Sequence, residues 1–274
     1  MSSIRETLKR LSPDPLWRLG RASWLALKHA AAWPQATFHP WRRVSIKRLA
    51  VLRDSQRGRR AFILGNGPSL ARTDVSRLKS EACFGLNRAY LAFPEWGFQT
   101  SYFVCVNTLV IEQAAPDISA LTMPKFISWR SRRLIPLDAH TIFLHTTYER
   151  SAFASHAGGR LWEGATVTYI ALQLAYHLGF DPVILIGVDH NFTSKGKPNT
   201  TVVSQGEDPD HFDKRYFGAG FHWQLPDLEQ SERAYRMARQ AFEADGRQVL
   251  DATIGGQLAV FPKVDYNSLF PVSQ

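Results

Sequence analysis

From residue 60 onward, short uninterrupted apolar runs alternate with polar turns, and this pattern sets the expected fold class. The runs at 61–64, 82–86, 102–106, 125–128, 141–144, 183–188 and 248–252 predict strands. Continuous apolarity over so few residues marks strands buried on both faces, which is the habit of parallel sheets. Helices are predicted over 167–178, stopped by Gly179 and Pro182, and over 228–244, stopped by Asp245-Gly246. Strand–helix–strand alternation of this kind predicts an α/β fold, a Rossmann-like, mainly parallel sheet flanked by helices. Between about 190 and 223 the chain is polar, rich in Gly, Asn, Thr, Ser and Asp, and without periodicity. A loop of that length in a compact domain predicts a functional lid.

Before residue 60 the pattern is different. Interrupted helical segments, broken by Pro13, Pro15, Pro34 and Pro40, carry four of the eight tryptophans (Trp17, Trp24, Trp33, Trp41). Residues 1–58 are therefore expected to be a basic, Trp-rich helical arm, and residues 59–274 the catalytic domain. The net charge of +9 belongs to the arm: residues 1–60 hold 14 Lys/Arg against 3 Asp/Glu, and the other 214 hold 19 against 21. Tryptophans among cations suit an anionic membrane surface, and equally an arm packed on the protein's own body or on a partner chain. No nucleic-acid reading module is present, so no nucleic-acid partner is expected.

Cys83 and Cys105 each sit in an apolar run and form neither a disulfide framework nor metal spacing, which predicts buried thiols and a reducing compartment. The charged start has no signal-peptide pattern, and the uncharged stretch 164–180 contains Thr, Gln and His and is shorter than a membrane span. The expected location is cytoplasmic, with peripheral attachment at the inner membrane face if the arm binds lipid.

The chemistry gathers where strands finish. The first strand ends in Gly65-Asn66-Gly67-Pro68-Ser69, the second in Asn87-Arg88, the third in Asn107, and the strand at 183–188 in Asp189-His190. Ligands of open parallel sheets bind outside the carboxyl ends of the strands. Three carboxamides, each offering donors and an acceptor, suit a ribose and a base edge. The glycine turn lets backbone N–H groups approach an anion. It lacks the Lys-Ser/Thr of a Walker loop and departs from the dinucleotide fingerprint at Pro68 and Ser69.

These residues also carry a resemblance. The segments 62–70, 74–78 and 84–88, with Asn107, Glu112-Gln113, the run 164–169, the segment 178–189 and His222, look like the bacterial family 42 sialyltransferases and their wider group. That group includes the motility accessory factor glycosyltransferases and the archaeal hydroxymethylpterin diphosphokinases. The likeness covers most of residues 61–255 and leaves out the arm. It implies a nucleotide-sugar enzyme in which Gly65, Asn66, Gly67, Ser69 and Asn87 meet the nucleotide, Asn107 the donor, and Thr166 the sugar carboxylate or phosphate. His222 stands in the general-base position, where a neutral imidazole would take the acceptor proton. His211 and His190 are weaker candidates for that role. The sialyltransferases steady the departing phosphate with a lid tyrosine pair, which the stretch 190–195 lacks. Tyr216, Lys195 and Lys214 are the substitutes on offer.

Three readings follow. The first is transfer of an acidic sugar from a CMP-linked donor to a glycan or lipid-linked acceptor, with no tightly bound cofactor and no metal. The second is ATP-dependent diphosphate transfer to a hydroxymethylpterin-like molecule, in which Asp189 holds Mg2+ against the diphosphate. The third is a non-catalytic nucleotide-binding relative. In each, Asp189 can also serve only as a carboxylate bonded to backbone amides at a strand end.

Overall fold

The computed structural model describes residues 33–148 and 152–270. The chain divides into two compact units, Met1–Arg43 and Val44–Gln274. Most of the expected basic arm, residues 1–32, lies outside the described residues. The first described long helix, α1 (Pro40–Leu52), spans the division between the units. Its second half belongs with the sheet. Leu49 is part of the main core, Ser45 Oγ accepts from Phe143 N at 2.9 Å, and Arg48 Nη1 donates to the carbonyls of Asp138 and Thr141, both at 2.7 Å.

The second unit is built on an eight-stranded sheet. Its strands are β1 (Ala61–Leu64), β2 (Ala82–Leu86), β3 (Tyr102–Cys105), β4 (Lys125–Ser128), β5 (Thr141–Thr147), β6 (Arg160–Trp162), β7 (Val183–Ile186) and β10 (Val249–Asp251). They run in the order β10-β7-β1-β2-β3-β4-β5-β6, and every pairing is parallel. The fold is the expected α/β, Rossmann-like sheet with helices against it. Side chains of β1 show why both faces are apolar. Ala61 and Ile63 enter one core cluster with α3 (Val167–Leu178) and α4 (Leu228–Ala244), while Phe62 and Leu64 enter another with Leu70, Ile184, Ile186 and Tyr266. Period-two alternation puts neighbours on opposite faces, and here both faces are covered.

Helix α3 runs over the predicted residues. Thr166 caps its start, with Oγ1 accepting from Thr168 N at 3.3 Å, and Gly179 at φ 92° ends it. Among the described residues no helix is long and apolar enough to cross a membrane.

Four elements differ from the sequence expectation. Helix α2 (Thr108–Ala120) contains Pro116, and Ala114 leaves helical geometry (φ −129°, ψ 19°), as a proline that removes a backbone donor and crowds the preceding turn requires. β7 stops at Ile186 rather than 188, because Gly187 turns the chain at φ 67°. β5 extends to Thr147 to pair with the unexpected β6, His145 opposite Arg160. The lid is not structureless: β8 (Thr201–Val203) pairs antiparallel with β9 (His222–Gln224).

Candidate functional site

The strand order reverses at β1, which has β7 on one side and β2 on the other. The chains leaving β1 and β7 cross there in close contact. Gly65 N donates to Ile186 O at 2.7 Å and Gly67 N to Gly187 O at 2.9 Å. A Cβ on Gly65 would lie 2.3 Å from Gly187 O, and one on Gly67 would lie 2.0 Å from Asp189 Oδ2. The glycines are thus needed for close approach of the two strand ends. Asp189 pins the crossing: its carboxylate accepts from Ser69 Oγ at 2.6 Å and Ser69 N at 3.1 Å. Ser69 is fully buried and does not line the cleft that opens above, so it acts by holding Asp189.

That cleft, of about 230 Å³, is lined by Gly65, Asn66, Gly67, Asn87, Asn107, Thr166, Asp189 and Tyr216 among others. Nearly all the residues singled out in the sequence meet on one hollow. The three asparagines are not equivalent within it. Asn107 caps α2, with Oδ1 accepting from Leu109 N at 3.0 Å. Asn66 Nδ2 donates to Leu86 O at 3.2 Å, but its Oδ1 is buried without a protein partner, and so is Asn87 Oδ1. Asn87 sits at φ 50°, a left-handed backbone that asparagine tolerates. Two carboxamide acceptors therefore lie beside the cleft with no donor from the protein.

On the far wall the N-terminus of α3 contributes Ala165, Thr166, Val167 and Thr168. The helix dipole favours an anion there, although the N–H groups of Thr166, Thr168 and Tyr169 already donate to Glu163 O, Thr166 Oγ1 and Thr166 O. Thr166 Oγ1 lies 3.4 Å from Tyr235 Oη. Glu163 lines the same wall, 3% exposed; burial pushes its carboxyl up although Arg130 Nη2 donates to Oε1 at 2.6 Å. Nothing in the sequence pattern distinguished Glu163, which enters the wall only because β6 pairs with β5.

The stretch 190–223, which the sequence reads as a lid, lines the cleft and is held by its own hydrogen bonds. Asp210 gathers Thr193 N and Oγ1 (2.6 and 2.7 Å) and Ser194 Oγ (2.6 Å). Burial alone would raise its carboxyl, but these donors outweigh it and hold the group below the usual range. Asp208 accepts from His211 Nδ1 at 2.8 Å and Phe217 N at 3.1 Å. The His211 ring stacks on Tyr216 at 4.1 Å. Tyr216 is fully buried, which pushes its hydroxyl far above the ordinary phenol value, and Arg88 holds it by donating to its backbone carbonyl. It is a neutral hydroxyl at the end of β2, not an anion. Phe212 N donates to Asn66 O at 2.9 Å and joins the lid to the glycine turn.

The structure does not bring His222 into the cleft. In β9, Trp223 and Gln224 line the hollow, whereas His222 is exposed and does not. What His222 contributes is its backbone: its N–H donates to Gln113 Oε1 and its carbonyl accepts from Gln113 Nε2, both at 2.8 Å. Lys195 donates to Phe192 O, Lys214 pairs with Glu207, both are exposed, and neither lines the cleft. Histidines do line it: His211 and His190, the latter with Nε2 3.0 Å from Glu232 Oε1. Among the described residues no three His, Cys, Asp or Glu side chains gather as a metal site.

Comparison with known proteins gives two findings. The chain is similar to a solved structure of the MAf glycosyltransferase from Magnetospirillum magneticum AMB-1, with 17% identity and a TM-score of 0.48, over 83% of this chain and 39% of that one. This chain thus spans well under two thirds of that enzyme. Comparison with curated proteins gives no match. The family described as 6-hydroxymethylpterin diphosphokinase MptE-like matches residues 42–195, which takes in β1 to β7, the glycine turn, all three asparagines, Asp189 and His190. A match over more than half of the sequence, centred on the cleft, places the chain: it belongs to the 6-hydroxymethylpterin diphosphokinase MptE-like family.

Proposed function

We propose that the cleft binds a nucleotide-activated donor and that the chain transfers an acidic sugar from a CMP-linked donor to a glycan or lipid-linked acceptor. The observation that carries this reading is the pair of unpartnered carboxamide oxygens, Asn66 Oδ1 and Asn87 Oδ1. Both residues line the cleft, and a buried acceptor left unmade costs about 1–3 kcal/mol; a turn of either carboxamide toward the cleft would let a ligand's amino or hydroxyl donor remove that cost. The 4-amino group of cytosine and the ribose hydroxyls are such donors. Charge supports the single-phosphate choice. No Lys or Arg lines the cleft among the described residues, so one phosphate can be met by the α3 N-terminus, whereas a triphosphate calls for a divalent cation beside it.

The second reading, diphosphate transfer from ATP to a hydroxymethylpterin-like molecule, is favoured by the family to which the chain belongs. There Asp189 would approach Mg2+, and it would share its carboxylate with Ser69. The two readings differ in what binds and in metal dependence. On the first, CMP at 100 times its Kd raises Tm by about 5 °C with or without magnesium. Asn66→Ala and Asn87→Ala each weaken CMP about tenfold, whereas His222→Ala leaves it unchanged. A panel of CMP, UDP, GDP and ATP, each with and without magnesium, checks this by thermal shift. Stronger stabilisation by ATP with magnesium would move the assignment to diphosphate transfer.

A further inference from the structure

Whatever nucleotide is bound, its departing phosphate gains negative charge as the transferred group leaves, and catalysis is helped by a positive group placed to meet it. The described lining residues include no Lys or Arg, so the side chains there able to carry positive charge are His190 and His211. Their surroundings differ. His211 lies in an aromatic cage, stacked on Tyr216 with Phe217 at 4.8 Å and its Nδ1 taken by Asp208. It is built into the lid's interior.

His190 lies four residues past the end of β7 and lines the same cleft as the start of α3. Its ring is 6.4 Å from Tyr235, whose hydroxyl is 3.4 Å from Thr166 Oγ1, the cap of that helix. Glu232 Oε1 lies 3.0 Å from Nε2 and holds that edge of the ring, while its Oε2 takes Arg236 Nη2 at 2.6 Å; Nε2 is therefore engaged, and Nδ1 is the ring nitrogen assigned to a ligand in the cleft that His190 lines. The position itself is held at φ 55°, a left-handed backbone that a non-glycine residue adopts at a cost, and such strain collects at functional sites.

We propose that His190 is the group that meets the phosphate of a bound nucleotide, with Glu232 as its positioning residue. This rests on the nucleotide-transferase reading of the cleft. When the bond from the phosphate oxygen to the transferred group breaks, the electron pair stays on the oxygen. With Nε2–H held by Glu232, the ring meets that oxygen as an imidazolium, whose Nδ1–H donates the hydrogen bond, while the α3 N-terminus faces the other phosphate oxygens. In this way a histidine serves where no lid tyrosine pair or lysine is present.

The test separates the phosphate from the rest of the ligand. Binding of cytidine and CMP, and of adenosine and AMP, is measured by calorimetry at fixed neutral pH for the wild type, His190→Gln and Glu232→Gln. For the pair that the wild type binds, His190→Gln is expected to weaken the nucleotide about tenfold and leave the nucleoside unchanged. Glu232→Gln is expected to give a smaller loss, again confined to the nucleotide. A purely structural role would weaken both ligands together, and that result, or no change in either, overturns the proposal while the nucleotide reading stands. A wild type that binds none of the four overturns both. If His190→Gln does not fold, the nucleotide-to-nucleoside ratio in Glu232→Gln decides alone.

Discussion

Replacing Gly65 with alanine is expected to lower stability by about 3 kcal/mol, near the upper end of what overpacking a close-packed interior costs. The new Cβ would stand 2.3 Å from Gly187 O, 2.6 Å from Gly187 C and 2.8 Å from Val188 Cγ2. Two of these are main-chain atoms of a chain end tied back to the turn by Gly67 N, so no side-chain rotation relieves the clash. Moving β7 away from β1 would pull apart the central pairing of the sheet, Leu64 opposite Ile186. The effect should appear as a large drop in the urea midpoint. Gly206→Ala, where an added Cβ meets nothing within 4 Å, is the control and should stay within about 0.5 kcal/mol of the wild type. Equal midpoints for the two variants would show that the crossing is not tight.

Removing Asp138 is the second large effect expected. Lys125 is wholly buried in β4, and its Nζ donates to Ser119 O and Leu121 O, both at 2.9 Å, and to Asp138 Oδ2 at 2.8 Å. Burial would raise the Asp138 carboxyl. Hydrogen bonds from Lys125, Thr141 and His140 outweigh burial and hold it well below the ordinary carboxylate range. Asp138→Ala leaves a buried ammonium facing carbonyls alone, at a cost of about 3–5 kcal/mol. Lys125→Met removes the buried charge instead, and Asp138 remains partly exposed with donors from Thr141 and His140, so its loss is smaller. The pH dependence has a definite sign. A carboxyl lowered in the folded state contributes stability above its unfolded value, about pH 4, and that contribution is lost as pH falls further. Urea midpoints measured from pH 5 down to pH 2 should therefore fall less steeply in Asp138→Ala than in the wild type. Parallel curves would contradict the assignment.

Much of the sheet could be read from residues because its signal is local. Each central strand is a short apolar run, and the end of α3 is marked by Gly179. The asparagines converge because parallel strands all finish on one edge, a topological fact available once the strands are assigned. What escaped depended on pairing. β6 is three residues whose only warrant is the continuation of β5. Helix α2 carries a proline that reads as a break. His222, expected at the reaction centre, begins a three-residue strand opposite Val203 whose cleft-lining members are Trp223 and Gln224. His190 with Glu232 and His211 with Asp208 are matched by folding, the first across 42 positions, and no spacing rule links that pair.

The lid is fastened at several places, among them Phe212 N to the carbonyl of Asn66, the paired bonds between Gln113 and the backbone of His222, and Arg88 to the carbonyls of Arg215 and Tyr216. The first latch shares its residue with one of the two waiting amide oxygens. On the proposed reading, a ligand held at Asn66 would stiffen the peptide that the lid grips, and dwell time in the cleft would be tied to how often these latches are undone.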